Sequence, residues 1–372
     1  MLVTEELDAC CLARFAAACT VCQAAAQVEL RAALIEAVQR CVAPGSGGPI
    51  SDALVACPYF RLPDDLVALP ARFFKGCIVL GFTELTLPAR LTTIDKRCFS
   101  GCSSLSKLTL PASLTSIGRY AFHRASSITE LTFPESLSTI GKHAFDGATS
   151  LREVTITATS TLTTISPYAF LGCSALSKFS FPATLTTIDE GAFGSCTSLV
   201  ELTLPAAVTT VGYGAFSECC SLTKLTLPAA LTTLGNGAFV DAISLIELTL
   251  PAALKTLGDA TFGGCLSLTS LTLPAALITI GNGTFGGCIS LSKLTLPAAL
   301  TAIGDFAFCG TSLTAITFPA SLSTIGRHSF ATCPLTEVTF PSTPITVDVS
   351  SFTGCTSLSP AARKAIDCAF HS

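Results

Sequence analysis

Four histidines and nineteen cysteines are the residues of this 372-residue chain best suited to chemistry, and their spacing decides how much of it they can share. His123 stands beside Arg124 with no obvious carboxylate or thiol partner, so no nucleophile, base and orienting group can be assembled around it. His143 and His328 hold equivalent positions in copies of a repeat that lie too far apart along a stacked sheet to meet. Cys19 and Cys22 form a single CxxC, with Cys10 and Cys11 nearby and no second pair at zinc spacing. Packing of an Ala- and Cys-rich helix accounts for them, with palmitoylation or redox chemistry as alternatives. Asn282, Gly283 and Thr284 spell a glycosylation sequon, which has meaning only in an exported chain. No glycine-rich phosphate loop follows a suitable strand. The expectation is therefore a non-enzymatic protein with no catalytic residue, no metal and no cofactor.

Composition narrows the partners. Charged residues make up 12% of the chain, where about 25% is usual, and hydrophobic residues make up 49%, which excludes a disordered chain. A net charge of −4 gives no overall basic field, so nucleic acid is not an expected partner. No run of about 18 apolar residues is present, and no transmembrane segment is expected. The first residues carry Glu5, Glu6 and Asp8 where a secretory signal would be positive, which favours an intracellular place and reduced thiols.

These residues sit on a repeat. Thirteen phenylalanines from Phe74 to Phe352 follow one another mostly 23 residues apart. A representative unit is LTSLTLPAALITIGNGTFGGCIS, residues 268 to 290, whose apolar positions Leu268, Leu271, Leu273, Leu277, Ile280 and Phe285 recur in nearly every copy. Leu271 and Leu273 flank Thr272 with the alternation of a half-buried strand, Pro274 ends that strand, and LITI at 277–280 is a second short extended piece. Gly281 opens a column otherwise filled by Gly, Asp and one Ser, which suggests a turn residue at positive φ. Three residues after most of the phenylalanines stands a Cys, in a column shared with Ala and Gly, and a small buried hydrophobe fits there better than a disulfide or metal ligand. Stacking the copies turns each position into a ladder, and Glu84, Lys107, Glu130, Glu153, Lys178, Glu201, Lys224 and Glu247 then mostly alternate in sign along one of them.

LxxLxLP followed by LxxIG, then AF and a small residue or Cys, resembles the BspA-type leucine-rich repeat family, over about residues 57 to 358. The resemblance implies a binding scaffold, often on the surface of bacteria and unicellular eukaryotes, and it brings no catalytic residues. A cell-surface place is what it would add to the compartments considered. The fold expected is a leucine-rich repeat superhelix, a mainly β solenoid of parallel in-register strands with helical caps at both ends. Residues 1–49 should form a helical cap and linker, residues 50–358 thirteen repeats, and residues 359–372 a closing helix with Ser359 as its N-cap and Pro360 in its first turn. Two extra residues in the cycle between Val154 and Ile165 predict a bulge at Thr157 to Thr161.

Binding residues are expected where the copies vary most, at the two positions before the AF dipeptide. Arg97, Arg119, Tyr120, Lys142, His143, Tyr168 and Tyr213 are the candidates, and residues 90–152 hold eight Lys or Arg against four Asp or Glu. A basic stretch interleaved with Tyr could engage a protein or a glycan, and an ordinary solvated rim would have the same residues. A second reading starts from the Thr ladder that includes Thr86, Thr109, Thr132 and Thr155, which is similar to the faces of ice-binding proteins, although Thr suits any half-exposed strand of a purely structural solenoid.

Overall fold

The computed structural model describes residues 62, 64–76, 83–157 and 159–370. The expected cap and linker at residues 1–49, with Cys19 and Cys22, lie outside the described residues. The chain divides into two compact units, Met1–Thr161 and Leu162–Ser372. The division falls at the end of the long cycle in which the sequence places its bulge.

In the first unit, two kinds of strand alternate. Glu84–Thr86, Lys107–Thr109, Glu130–Phe133 and Glu153–Ile156 are the longer ones, and Ala68–Leu69, Thr93–Ile94, Ser116–Ile117 and Thr139–Ile140 have two residues each. Both kinds pair parallel and in register with the next copy, as Glu84 does with Lys107 and Ser116 with Thr139. The second unit follows the same plan. Glu201–Thr203, Lys224–Thr226, Glu247–Thr249 and Ser270–Thr272 form one ladder, and two-residue strands from Thr164–Ile165 to Thr346–Val347 form two more. Residues 291–297, where the pattern predicts a further long strand around Lys293, adopt none. Charge alternation contributes little to this registry. Lys107 lies 3.6 Å from Glu84 with both side chains about two-thirds exposed, a geometry worth about 0–1 kcal/mol, and Glu130 faces the like charge of Glu153.

Registry comes from the interior and from the backbone of the turns. In the first unit Phe74, Phe99, Phe122 and Phe145 stack at 4.9 Å between ring centroids. In the second unit the column from Phe170 to Phe352 stacks at 5.3 to 5.8 Å. Around each ring the backbone is irregular yet pinned. Arg97, Phe99 and Gly101 donate their N–H groups to Arg119, Ala121 and His123 one turn on, at 3.0, 2.6 and 2.7 Å. Alternate residues therefore face the next rung, and the positions two before and two after the Phe are driven to positive φ to close the turn, as at Arg97 (56°) and Gly101 (71°).

The Gly281 column has a different cause from the one its composition suggests. None of its glycines has positive φ. They are demanded by close approach, since a Cβ on Gly281 would lie 2.7 Å from Gly258 C and 2.8 Å from Asp259 N. Gly118 and Gly212 are confined in the same way, each 2.7 Å from a backbone nitrogen of the rung before.

The described cysteines of the column are buried, and their thiols have a task beyond filling space. Cys196, Cys219, Cys265 and Cys288 donate from Sγ to the carbonyls of Phe170, Phe193, Phe239 and Phe262 at 3.3 to 3.5 Å. Burial pushes the thiols of Cys219 and Cys288 up to about 12 and that of Cys355 up to about 11. At the C-terminal end, helix α1 (Pro360–Phe370) buries Ala362, Ile366 and Ala369 against the strands Glu337–Thr339 and Thr346–Val347. Ala362 N–H donates to Ser359 Oγ at 3.2 Å, so Ser359 caps α1 as its sequence predicts.

Two outcomes follow from this packing. Gly281→Val should lower stability by about 1–3 kcal/mol by overpacking. Gly283→Ala, at φ 58° with nothing within 4 Å of the added carbon, should cost only about 1 kcal/mol of backbone strain; equal thermal midpoints for the two variants would refute the distinction. A thiol reagent at pH 8, read by peptide mass spectrometry, should label Cys368, Cys220 and Cys309 well before Cys196, Cys219 and Cys265, because only the former reach the surface.

Candidate functional site

Two columns sit at positive φ in every described turn but the last, where only Gly354 does; there side chains strain the backbone by about 1–2 kcal/mol and Gly does not. Two residues before the Phe, the second unit has Gly191, Gly214, Gly237 and Gly283, with Tyr168, Ala260, Phe306 and His328 as the exceptions. The first unit has no Gly there among its described residues. It places Arg72 (φ 64°), Arg97 (56°), Tyr120 (58°) and His143 (56°) on successive turns.

Three of those side chains, Arg97, Tyr120 and His143, form one assembly with Arg119. The rings of Tyr120 and His143 stack at 4.6 Å with planes 7° apart. The guanidinium carbons of Arg97 and Arg119 lie 5.1 and 4.9 Å from the Tyr120 centroid, within cation–π range. His143 Nδ1 lies 2.9 Å from Asp146 Oδ2. His123 packs edge-on to Tyr120 and aims its buried Nδ1 at the same carboxylate oxygen from 3.5 Å, an ion-pair distance too long for a hydrogen bond. The sequence assigns His123 no acidic partner; the structure supplies Asp146, 23 residues on and one turn away, which in-register stacking brings alongside. One carboxylate thus lies near two imidazoles and, through His143, fixes the ring stack.

Of the seven residues expected to bind, Arg97, Arg119, Tyr120, Lys142 and His143 come together on three adjacent turns of the first unit. Tyr168 and Tyr213 belong to the second unit, two turns apart. Tyr213 is 62% exposed. Tyr168 is held down: its ring lies against Gly191, whose added Cβ would come within 2.6 Å of it, and its hydroxyl donates to a Glu190 carboxylate oxygen. Spacing alone missed Arg72, Lys75 and Arg124, which the turns of the first unit carry on the same edge. Arg124 also sits at positive φ, 55°. Bulky residues in a column that elsewhere holds Gly were the available signal.

Other variable positions have structural work. Asn236, Asp259, Asn282 and Asp305 occupy the column three before the Phe, and the Oδ1 of each accepts the backbone N–H of the next member at 2.7 to 3.0 Å, ending on Arg327. Their alternation keeps two carboxylates from facing on neighbouring rungs. Thr284 of the sequon is buried, with its hydroxyl donated to Gly258 and Gly281 carbonyls at 3.0 and 2.8 Å. Thr residues just before the short strands are likewise engaged, as Thr115 Oγ1 is with Thr92 O at 3.0 Å.

The Glu190 bond pushes the Tyr168 phenol up to about 12. An unfolded Tyr ionises near 10, so the stabilisation from this bond is complete below pH 10 and is lost as pH rises through 12. In an ultraviolet titration one tyrosine should ionise about two pH units above an ordinary phenol, and Glu190→Gln should return it to the ordinary range; no shift in that variant would refute the assignment.

Copies of the BspA type leucine-rich repeat region match residues 55–176, 163–288 and 232–359. A leucine-rich repeat protein from Bacteroides ovatus is similar in structure, with a TM-score of 0.65 and 28% identity over 79% of this chain and 81% of that one. The pneumococcal vaccine antigen PcpA shares the fold, with a TM-score of 0.51 and 20% identity over 81% of each chain. No curated protein matches the chain. No described helix is long and apolar enough to cross a membrane. Repeat length, strand register and these matches agree, and the chain belongs to the BspA-type leucine-rich repeat family.

Proposed function

We propose that the protein is a non-enzymatic binding scaffold, and that its site is the turn edge of the first unit, centred on Arg97, Arg119, Tyr120, Lys142 and His143. The observation that carries this reading is the choice of residue at positive φ. Four successive turns accept a strained Arg, Arg, Tyr and His in a column where Gly191, Gly214 and Gly237 relieve the same strain. Strain kept at an exposed side chain, as at Arg72 and Arg97, marks a position whose side chain is needed for something else. Stability would be served better by Gly. Arg97 in particular is exposed and gains little from the fold.

The site works by presentation. Rung-to-rung hydrogen bonds fix each backbone, ring stacking fixes Tyr120 and His143, and cation–π contact orients Arg97 and Arg119, so little side-chain entropy remains to be lost on binding. Tyr and Arg are the residues most enriched among interface anchors. Tyr213, exposed on the second unit, is proposed as a separate minor contact, and the tethered Tyr168 contributes shape more than reach.

A variant with Arg119→Ala, Tyr120→Gly, Lys142→Ala and His143→Gly puts Gly at both strained positions. It should keep its thermal midpoint within a few degrees and lose capture of macromolecular partners that bind the unchanged chain. Retention of the same partners at equal affinity would overturn the site.

A further inference from the structure

We infer that the partner of this edge is a linear sulfated glycan, an inference that rests on the binding role proposed above. The turn segments at 71–76, 95–101, 118–124 and 141–147 carry seven Lys or Arg and two Asp. Both carboxylates are already engaged: Asp95 Oδ1 accepts the Lys96 backbone N–H at 2.5 Å, and Asp146 holds the imidazoles. Seven cations against two carboxylates leave the edge a net charge of +5, with one or two cations per turn and turns set at the 4.9 Å repeat of the Phe column. The strand face of the same unit has the opposite character. There Glu84, Glu130 and Glu135 line a recess of 890 Å³ whose one cation is Lys107. The contrast confines attraction for a polyanion to the turn edge.

Three observations distinguish the class of polyanion. First, a protein interface needs an apolar core, and the one large hydrophobic exposed among the described residues of the first unit is Val67. Second, a single-stranded nucleic acid needs open aromatic faces on which bases stack. Of the rings outside the core, Tyr120 and His143 cover one another, guanidinium groups lie over Tyr120 as well, and His123 is half-buried edge-on to Tyr120. Third, four of the seven cations are Arg, whose planar fork matches the oxygens of sulfate and carboxylate. Arg72, Arg97 and Arg124 extend from strained backbone that is pinned to the next rung. A chain of sugars bearing sulfates at a regular repeat meets such a row without needing apolar anchors or base-stacking platforms.

The test titrates a heparin-derived octasaccharide against the full chain at physiological salt. The variant Arg72→Gly, Arg97→Gly and Arg124→Gly removes three guanidinium groups and installs the residue that each backbone favours, so the fold is retained. Lys224→Gln, Lys255→Gln and Lys293→Gln in the second unit removes the same net charge and serves as the control. The first variant should weaken binding by about tenfold or more and the control by less than about twofold, and the fully desulfated octasaccharide should not bind. Equal losses in the two variants, or undiminished binding of the desulfated sugar, would overturn the glycan assignment. Edge-dependent binding of polyglutamate or oligouridylate, with none of the octasaccharide, would overturn the glycan and leave the binding edge standing. If no probe responds to the arginine variant, both proposals fall.

Discussion

Parallel stacking in strict register is the constraint from which the other features follow. When each turn lies about 5 Å from its copy, a residue meets its own equivalent, and every position must tolerate its own repetition. Phe tolerates it by stacking ring on ring. Cys tolerates it by donating its thiol to a carbonyl of the rung before. Asn and Asp tolerate it by alternating, so that Asn236, Asp259, Asn282 and Asp305 can pass hydrogen bonds along the column without adjacent carboxylates. Gly118, Gly212 and Gly281 are the limiting case, in which the neighbouring backbone leaves no room for even one carbon.

The same register makes the turns rigid although they are neither helix nor strand. N–H groups on alternate residues are bonded to the next rung, and closure of the turn then imposes positive φ on both sides of the buried Phe. Two residues before the Phe, the second unit meets this demand with Gly at four turns and with a side chain at four, and the first unit meets it with Arg, Tyr and His throughout its described turns. The first unit thereby sets charged and aromatic side chains at fixed intervals along one edge. Asp146 supports that arrangement, since its carboxylate bonds His143, whose ring stacks on Tyr120.

A solenoid of this kind keeps its buried and its variable positions in separate columns. The inward Leu, Ile and Phe positions scarcely vary, and their burial holds each turn against its neighbours. The outward turn positions can change residue by residue, with only the local backbone demand to satisfy. That separation explains how a chain with few charges overall concentrates seven cations on four turns of one unit and remains net acidic.

The period of 23 residues, the alternating Leu and the recurring Phe were enough to establish the repeat, its strands and its buried columns, because those features are local and recur. The closing helix was equally legible from Ser359, Pro360 and an apolar stripe. Variation before the AF dipeptide located five residues of the edge. What sequence spacing left unassigned depends on contacts between turns. His123 gains Asp146 only when rungs stack, the Gly281 column is explained by a neighbour's backbone instead of by its own φ, and the importance of Arg72 and Arg124 appears only once their backbone is known to be strained. Sequence determined which residues recur and at what interval; tertiary structure decided which of them touch, because a contact between rungs joins residues some 23 apart and leaves no mark in the order of the chain.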